Sequence, residues 1–221
     1  MPVSGRTRKK NIMVDLETKQ AEFGAPTKGY DDLEYWTKIT MAHTKVAAKT
    51  FATQFETIQK MVDMAEEVIK RGNKILFFGN GGSAADSQHI AAEMAVKLHK
   101  ERSPIAALAL SLDSSALTAT ANDYGFDQIY QRQVRALGYA GDLAVGLSTS
   151  GNSENILNGL KKARRMGMQT VGWSGETGGK MPPLCDLMLL IPETDPGRIQ
   201  EMHITMGHIF VGMLEQRLGL V

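Results

Sequence analysis

The stretch from Lys74 to Leu98 constrains the fold more than any other part of this sequence. A short apolar run, Ile75–Phe78, is followed by the turn Gly79–Gly82 and then, from Ser83, by apolar residues at helical spacing. Glycine lets the backbone approach a ligand closely, and the first N–H groups of a helix have no partner within that helix. The stretch therefore predicts a strand, a turn that faces a ligand, and a helix.

The alternation of apolar runs and helical patterns continues along the chain. Further apolar runs cover residues 105–110, 142–147, 169–173 and 186–191, and the helices predicted between and after them cover 113–121, 127–137, 154–166 and 197–218. This alternation indicates an α/β fold, with a five-stranded parallel sheet and helices on both of its faces. We expect the flavodoxin-like strand order 2-1-3-4-5, which opens a ligand crevice between the first and third strands.

Two amphipathic helices are predicted ahead of this core, and a polar segment precedes them. From Tyr30 to Val68 the apolar residues mostly recur three and four positions apart, whereas residues 1–29 are polar and show weak periodicity. We therefore predict a flexible N-terminal arm over residues 1–29. The rest, residues 30–221, is predicted to form a single domain that includes the two helices.

Composition limits the partners and the compartment. The formal net charge of the 221 residues is +1, and nucleic-acid or anionic-membrane partners usually leave a clear basic excess. No apolar run approaches the ~20 residues of a membrane-spanning helix. Cys185 is the only cysteine, which favours a reducing compartment. We expect a cytoplasmic protein without a nucleic-acid or membrane partner.

The turn after the third apolar run carries a cluster of hydroxyl groups. They belong to Ser148, Thr149, Ser150 and Ser153, directly ahead of a predicted helix. Hydroxyl groups and the free N–H groups of a helix N-terminus suit a phosphate monoester. The alternative is that Ser153 only caps the helix. Because a cap needs one hydroxyl and four are present, phosphate binding is the favoured interpretation.

A dinucleotide site is a second interpretation of the glycine-rich turn. The segment from Gly79 to Ala84 fits the loose pattern G-x-G-x-x-G/A after a strand. That fingerprint also needs an acidic residue about 20 positions further on, whereas Asp113 comes nearly thirty residues after Ala84. The hydroxyl-rich turn would also have no role in hydride transfer, so a phosphorylated ligand is favoured.

Polar residues on two predicted helices form another candidate site. His89 and Glu93 lie four apart on one helix face, a spacing that suits shared metal coordination, an acid/base pair or an ordinary surface pair. On the last helix, Gln200 and His208 are flanked by apolar residues, and a buried polar group needs a partner such as a metal or substrate. The backbones of these two residues are about 12 Å apart, so they share one ion only by reaching toward each other.

Four motifs occur in order from about Lys74 to the end of the chain. They are GNGGSAADSQHIAAE at 79–93, TATANDYGFD at 118–127, STSGNS at 148–153 and RIQEMHITMGH at 198–208. As a set they resemble the sugar isomerase (SIS) superfamily and, within it, the bacterial phosphoheptose isomerase family. The resemblance implies a cytoplasmic homotetramer with active sites at subunit interfaces. It further implies conversion of sedoheptulose 7-phosphate into D-glycero-D-manno-heptose 7-phosphate, for the heptose of surface polysaccharides such as lipopolysaccharide.

The resemblance also implies roles for individual residues. Glu93 and His208 would be the catalytic acid/base pair. One zinc ion per subunit would be bound by His89, Glu93, Gln200 and His208. The substrate would be held by Asn80, Gly81, Gly82, Ser83, Glu93, Asn122, Asp123, Ser148, Thr149, Ser150, Ser153 and Gln200. Gly197 stands where some relatives carry an aspartate three residues before the glutamine, which puts a supporting role of that carboxylate in doubt.

The chemistry fits this assignment and leaves one question open. Moving a carbonyl between C2 and C1 requires proton abstraction, an enediol and reprotonation, which a carboxylate and an imidazole on opposite sides of the sugar can perform. Zinc would polarise the carbonyl or enediolate oxygens. A residue that binds zinc is a poorer proton carrier, so the sequence does not decide between a catalytic and a structural zinc.

Two other functions stay open at this point. One is a non-catalytic SIS tetramer that associates with the bacterial replication initiator. Such relatives share a RIQEMH segment but lack the later histidine, which is present here as His208. The other is an isomerase that acts on a different phosphosugar through the same crevice.

Overall fold

The structure, a computed structural model, describes residues 29–221. Except for Gly29, the predicted N-terminal arm lies outside the described residues. The chain divides into two compact units, with the division between Met41 and Ala42. In the first unit, the Asp31 carboxylate accepts hydrogen bonds from the N–H groups of Leu33 and Glu34, which satisfies donors at the start of the first helix. The single domain over residues 30–221 stays a prediction.

The described residues contain seven α-helices and five strands. The bounds are α1 Asp32–Thr53, α2 Phe55–Lys70, β1 Ile75–Gly79, α3 Gly82–Ala95, β2 Ala107–Ala109, α4 Ser114–Tyr124, α5 Ile129–Leu137, β3 Leu143–Leu147, α6 Glu154–Arg165, β4 Gln169–Ser174, β5 Leu187–Leu190 and α7 Pro196–Arg217. Short 3-10 turns at Phe126–Gln128 and Pro182–Leu184 connect some of them. None of the helices from residue 29 onward is long and apolar enough to cross a membrane.

The five strands form one parallel sheet in the order β2-β1-β3-β4-β5, as predicted. Gly79 at the end of β1 is paired with Leu147 at the end of β3. The glycine-rich turn and the hydroxyl-rich turn therefore leave the sheet at the same level on neighbouring strands. The winding reverses between these strands, which is where such sheets bind ligands.

Two boundaries differ from the prediction. β2 is shorter than the apolar run over residues 105–110, because only three residues pair with β1, while the N–H of Ile105 bonds to Met94 on α3. α4 is longer than residues 113–121 and ends only at Gly125, so the turn predicted at residues 123–125 begins as the last turn of a helix. Asp113 is the N-cap of α4, and its carboxylate accepts from the N–H of Ala116.

Alternate residues of the strands enter two separate cores. Phe77 and Trp173 belong to the core on the face covered by α2, α3 and α7, whereas Phe78 belongs to the core under α5 and α6. All three aromatic side chains are fully buried, and such burial stabilises a fold by roughly 1.5–3 kcal/mol per side chain. The first core thus fixes α3 and α7 side by side against the sheet, which matters for the site.

Candidate active site

Reciprocal hydrogen bonds between two asparagines join the two turns at the crevice. The side-chain amides of Asn80 and Asn155 bond to each other in both directions, with N–O distances of 2.9 and 2.8 Å. Asn155 is only 2 % exposed, in the first turn of α6. Sequence reasoning missed Asn155, although a polar residue at a buried position of the helical pattern was the available signal. The pair fixes the glycine-rich turn relative to the start of α6.

The glycine-rich turn requires glycine for steric reasons. A Cβ atom at Gly79 would lie 2.5 Å from the backbone carbonyl oxygen of Ser83, and Gly81 has a φ of +53°. The N–H groups of Ala84 and Ala85 bond to the carbonyl of Gly81, so α3 starts immediately after the turn. The turn thereby presents backbone at the mouth of the crevice rather than side chains.

A cavity of about 310 Å³ opens beside this turn. It is lined by the turn, by α3, by α4 and by the start of α5, including Asn80, Gly81, Ser111, Thr118, Phe126 and Tyr130. The buried Tyr130 hydroxyl donates to the carbonyl of Gly79, and burial raises its pKa to about 12, so it stays protonated at neutral pH. Asn122 and Asp123, predicted to bind the sugar, are exposed at the end of α4 and bond to each other at 2.8 Å.

The hydroxyl-rich turn leads directly into the N-terminus of α6. Ser153 is the N-cap residue of α6, but its hydroxyl makes no capping bond and lies 3.2 Å from the Ser148 hydroxyl. Simple capping therefore does not account for Ser153. The Ser150 hydroxyl accepts from the N–H of Asn152 at 3.2 Å. The clustered hydroxyls at a helix N-terminus form an arrangement that suits a phosphate.

The backbone of the hydroxyl-rich turn is fixed from the loop after β4. The carbonyl of Thr149 accepts from the N–H of Gly175, and the carbonyl of Gly151 accepts from the N–H of Lys180. Gly151 has a φ of +65°, and a Cβ atom there would overlap the carbonyl oxygen of Gly178. Only glycine fits at this position, so the turn has little freedom to adopt another shape.

His89, Glu93 and His208 converge in a triad across α3 and α7. His89 Nε2 lies 3.0 Å from Glu93 Oε1 and 3.1 Å from His208 Nε2, and His208 Nε2 lies 3.3 Å from Glu93 Oε1. The imidazoles are 52 % and 44 % exposed, whereas the Glu93 side chain is 16 % exposed. His208 is thus not the buried group that the flanking apolar residues indicated, because it stands at the edge of the α7 face that packs on the core.

The geometry of the triad fits a metal ion. A tetrahedral ion with ligands at about 2.0–2.2 Å keeps those ligands about 3.3–3.6 Å apart, within a few tenths of an ångström of the three distances here. Glu93 Oε2 is buried and has no hydrogen-bond partner among the described residues. Two imidazole nitrogens and a carboxylate oxygen that point at one another would repel unless they shared a proton or a cation. His89, Glu93 and His208 therefore form a possible metal-binding triad.

Gln200, the fourth predicted ligand, lies further along α7 toward its N-terminus. A Cβ atom added to Gly82 would be 2.7 Å from both the nitrogen and the oxygen of the Gln200 side-chain amide. Gln200 therefore packs directly against the start of α3, beside the glycine-rich turn. The structure brings three of the four predicted ligands together, and the participation of Gln200 stays a prediction.

Asp86 was not predicted, yet it shares the face of α3 that carries the triad. It lies four residues after Gly82 and three before His89, a helical spacing that was visible in the sequence. Asp86 Oδ2 is buried without a hydrogen-bond partner among the described residues. Burial raises the pKa of Asp86 to about 6, and the charge of His89 lowers it in part.

The remaining predicted site residue of α3, Ser83, is buried at the start of that helix. His89 and Glu93 follow Gly82 by seven and eleven residues, which places their backbones about 10 and 16 Å along the helix. The triad and the glycine-rich turn are thus at different ends of α3. A ligand that contacts both within one chain therefore has to be extended.

Comparison with known proteins identifies the family. Residues 40–175 match the SIS domain family. The phosphoheptose isomerase of Aliarcobacter butzleri is 49 % identical over 182 residues, which cover 82 % of this chain and 96 % of that protein. The phosphoheptose isomerase of Aquifex aeolicus is 50 % identical over 161 residues, which cover 72 % of this chain and 84 % of that protein.

Solved structures agree with the sequence comparison. The phosphoheptose isomerase of Neisseria gonorrhoeae superposes with a TM-score of 0.79 at 37 % identity, covering 83 % of this chain and 98 % of that one. The phosphoheptose isomerase of Francisella tularensis superposes with a TM-score of 0.82 at 29 % identity, covering 85 % and 100 %. The chain therefore belongs to the phosphoheptose isomerase family of SIS-domain proteins.

Proposed function

We propose that this enzyme converts sedoheptulose 7-phosphate into D-glycero-D-manno-heptose 7-phosphate for heptose biosynthesis. The observation that carries the proposal is the convergence of Glu93 with His89 and His208, in a chain of this family whose hydroxyl-rich turn is intact. Such a reaction needs a phosphate anchor and groups that move protons between neighbouring carbons. Both parts are present on the elements that border the crevice.

In the proposed reaction, the turn from Ser148 to Ser153 holds the phosphate through its hydroxyls and the N-terminus of α6. Glu93 takes a proton from C1 of the ketose, and the C2 carbonyl oxygen gains a proton from His208, which gives the enediol. Glu93 then returns a proton to C2, while His208 takes the proton from the oxygen on C1. The product is the aldose, with no net change in protons. General acid/base catalysis of this kind contributes roughly 10² to 10⁴ in rate.

The proposed cofactor is zinc, bound by His89, Glu93 and His208. Gln200 is proposed as a further ligand, and its amide, which lies beside Gly82, would have to turn toward the triad to reach the ion. The triad supports this assignment because its donors are those that zinc prefers and their spacing suits a tetrahedral ion. When bound, zinc would act as a Lewis acid toward the sugar oxygens. Glu93 Oε1 faces the imidazoles and Oε2 is buried without a partner among the described residues, so the carboxylate would have to turn to present an oxygen to the sugar.

We also propose that the active site is completed between subunits of a homotetramer. Glu93 Oε1 and His208 Nε2 of one chain are 3.3 Å apart, too close for a sugar carbon to lie between them. Within one chain the two groups would therefore act on the sugar from the same side, and a second chain would close the other side of the site. The separation of the triad from the glycine-rich turn along α3 supports the same arrangement. The expected solution mass is that of four 24.1-kDa chains, measurable by light scattering.

A cytoplasmic location is part of the proposal and rests on the single cysteine, Cys185, and on the reducing compartment it favours. Burial and the neighbouring charge of Asp186 raise the pKa of the Cys185 thiol to about 12, with a small opposing effect of Arg164. The thiol is therefore unreactive at neutral pH. It is expected to play no part in the reaction.

The test is incubation with sedoheptulose 7-phosphate and detection of the aldose by NMR, with and without added zinc. The expected result is conversion, with lower turnover for a panel of five- and six-carbon phosphosugars. Absence of the aldose under both conditions contradicts the proposal, and faster turnover of a shorter sugar would reassign the substrate. Glu101→Gln is the matched control for substitutions of Glu93, because Glu101 is an exposed glutamate whose one ion pair among the described residues is with Lys97.

A further inference from the structure

Arg102 closes the C-terminal end of α3. The last carbonyl groups of a helix have no partner within it, and α3 ends at Ala95. The guanidinium of Arg102 donates from Nη1 to the carbonyl of Met94 at 2.7 Å and from Nη2 to the carbonyl of Glu93 at 2.8 Å. Arg102 therefore holds the backbone of Glu93 itself.

Glu215 binds the same guanidinium from α7. Its Oε1 accepts from Arg102 Nε at 2.7 Å and from the N–H of Leu98 at 3.2 Å. The side chains of Arg102 and Glu215 are 0 % and 3 % exposed, so this is a buried ion pair. Glu215 stands seven residues after His208, or about two turns, and so lies on the same side of α7. The pair thus joins the end of α3 to the part of α7 that carries His208.

We propose that Arg102 and Glu215 are positioning residues that set the separation of Glu93 and His208. The inference rests on the proposed function, in which these two side chains move protons. Misplacement of a catalytic group by about 1 Å can cost about 10²-fold in rate. Replacing a buried ion pair by apolar residues of the same volume is often neutral for stability, so the contribution proposed for this pair is geometric.

Arginine is required at this position because of its shape. The planar guanidinium donates in three directions at once, toward Glu215 and toward two carbonyls of α3. A lysine would keep the charge beside Glu215 but presents a single ammonium group. Arg102→Lys therefore preserves the charge pair and removes the fork that fixes the end of α3.

The experiment compares steady-state kinetics of the full-length enzyme and its variants, each at a temperature at which circular dichroism shows it folded. For Arg102→Lys we expect a fall in kcat of at least tenfold with KM changed less than threefold, because the phosphate-binding turn is not affected. Glu215→Gln keeps both acceptor contacts without the charge and should show a smaller fall. It also provides the readout if Arg102→Lys does not fold. The matched control is Arg217→Met, since Arg217 also pairs α7 with carboxylates, but on α2 and at the surface.

Wild-type kcat in both folded variants overturns the inference, and so does an equal loss of kcat in Arg217→Met. Failure of the proposed function is recognised separately. If Glu93→Gln turned over at the wild-type rate, the catalytic assignment itself would be wrong, whereas an inactive Glu93→Gln beside a fully active Arg102→Lys would reject only the positioning role.

Discussion

Replacing Gly82 with alanine should damage the site without damaging the fold. The new Cβ atom would lie 2.7 Å from the amide nitrogen and oxygen of Gln200 and 2.8 Å from its carbon. Ordinary van der Waals contacts begin at 3.4 Å, so the amide has to move by about 0.7 Å. It is the end of a flexible side chain, and rotation away from its preferred rotamer costs roughly 0.5–1.5 kcal/mol.

The cost to stability is small because a second effect opposes it. Gly82 is not in the left-handed region, and alanine restricts the unfolded chain, which stabilises by about 0.4–1 kcal/mol. The net change in the free energy of unfolding should stay within about 1 kcal/mol. A shift approaching 1 Å in a ligand or substrate contact should lower kcat/KM by about 10- to 100-fold.

The assay is kcat/KM for sedoheptulose 7-phosphate together with urea unfolding and zinc affinity by competition with a chelator. Gly212→Ala on α7 is the matched control, because within the part of the chain that the structure describes its Cβ would meet only Leu98 Cδ2, at an ordinary 3.5 Å. It should keep full activity and gain roughly 0.5–1 kcal/mol as a helix-interior alanine. Wild-type kcat/KM and zinc affinity in Gly82→Ala would refute the assignment of Gln200 to the site.

Three further predictions concern the hydroxyl-rich turn and two titratable groups. Gly151→Ala should raise KM at least tenfold in initial-rate kinetics, because its Cβ would overlap the carbonyl of Gly178 at a positive φ. Burial lowers the pKa of His203 from 6.5 to about 4, although its hydrogen bond to the Ser174 carbonyl acts in the opposite direction. Stability that is present above pH 6.5 is therefore lost as pH falls toward 4, and urea titrations should show a loss of up to about 3 kcal/mol in the free energy of unfolding. His203→Gln should reduce this dependence of stability on pH. The pKa of Asp86 is raised from 3.8 to about 6, so stability that is present below pH 3.8 is lost as pH rises through 6. Thermal melts should therefore show that Asp86→Asn is more stable than the wild type at pH 7.5 but not at pH 3.5.

The fold could be predicted from the sequence because its signals are local. Strands buried on both faces appear as apolar runs, and the two turns at the crevice are marked by glycine and hydroxyl residues. The length of β2 could not be predicted in this way, since it depends on how many residues pair with β1 at the sheet edge. The extension of α4 to Tyr124 could not be predicted either, because asparagine and aspartate are common in turns, whereas Asn122 and Asp123 continue the helix here.

The candidate site was predictable only in part. The spacing of His89 and Glu93 indicated a shared helix face, but their convergence with His208 depends on the packing of α3 against α7. That step came from the family resemblance, and the structure supplies the distances. The partners of Asn155 and Arg102 could not be predicted, because Asn80 and Glu215 lie 75 and 113 residues away from them in the chain.

The role of Glu93 as the catalytic base is tested by the rate at which Glu93→Gln converts sedoheptulose 7-phosphate, measured beside the wild type and Glu101→Gln. The amide keeps the shape of the carboxylate but cannot accept a proton from the sugar. If Glu93 is the base, kcat falls by roughly 10² to 10⁴, while binding of the phosphosugar is retained in calorimetry and Glu101→Gln is unchanged. A rate for Glu93→Gln within twofold of the wild type would contradict this role.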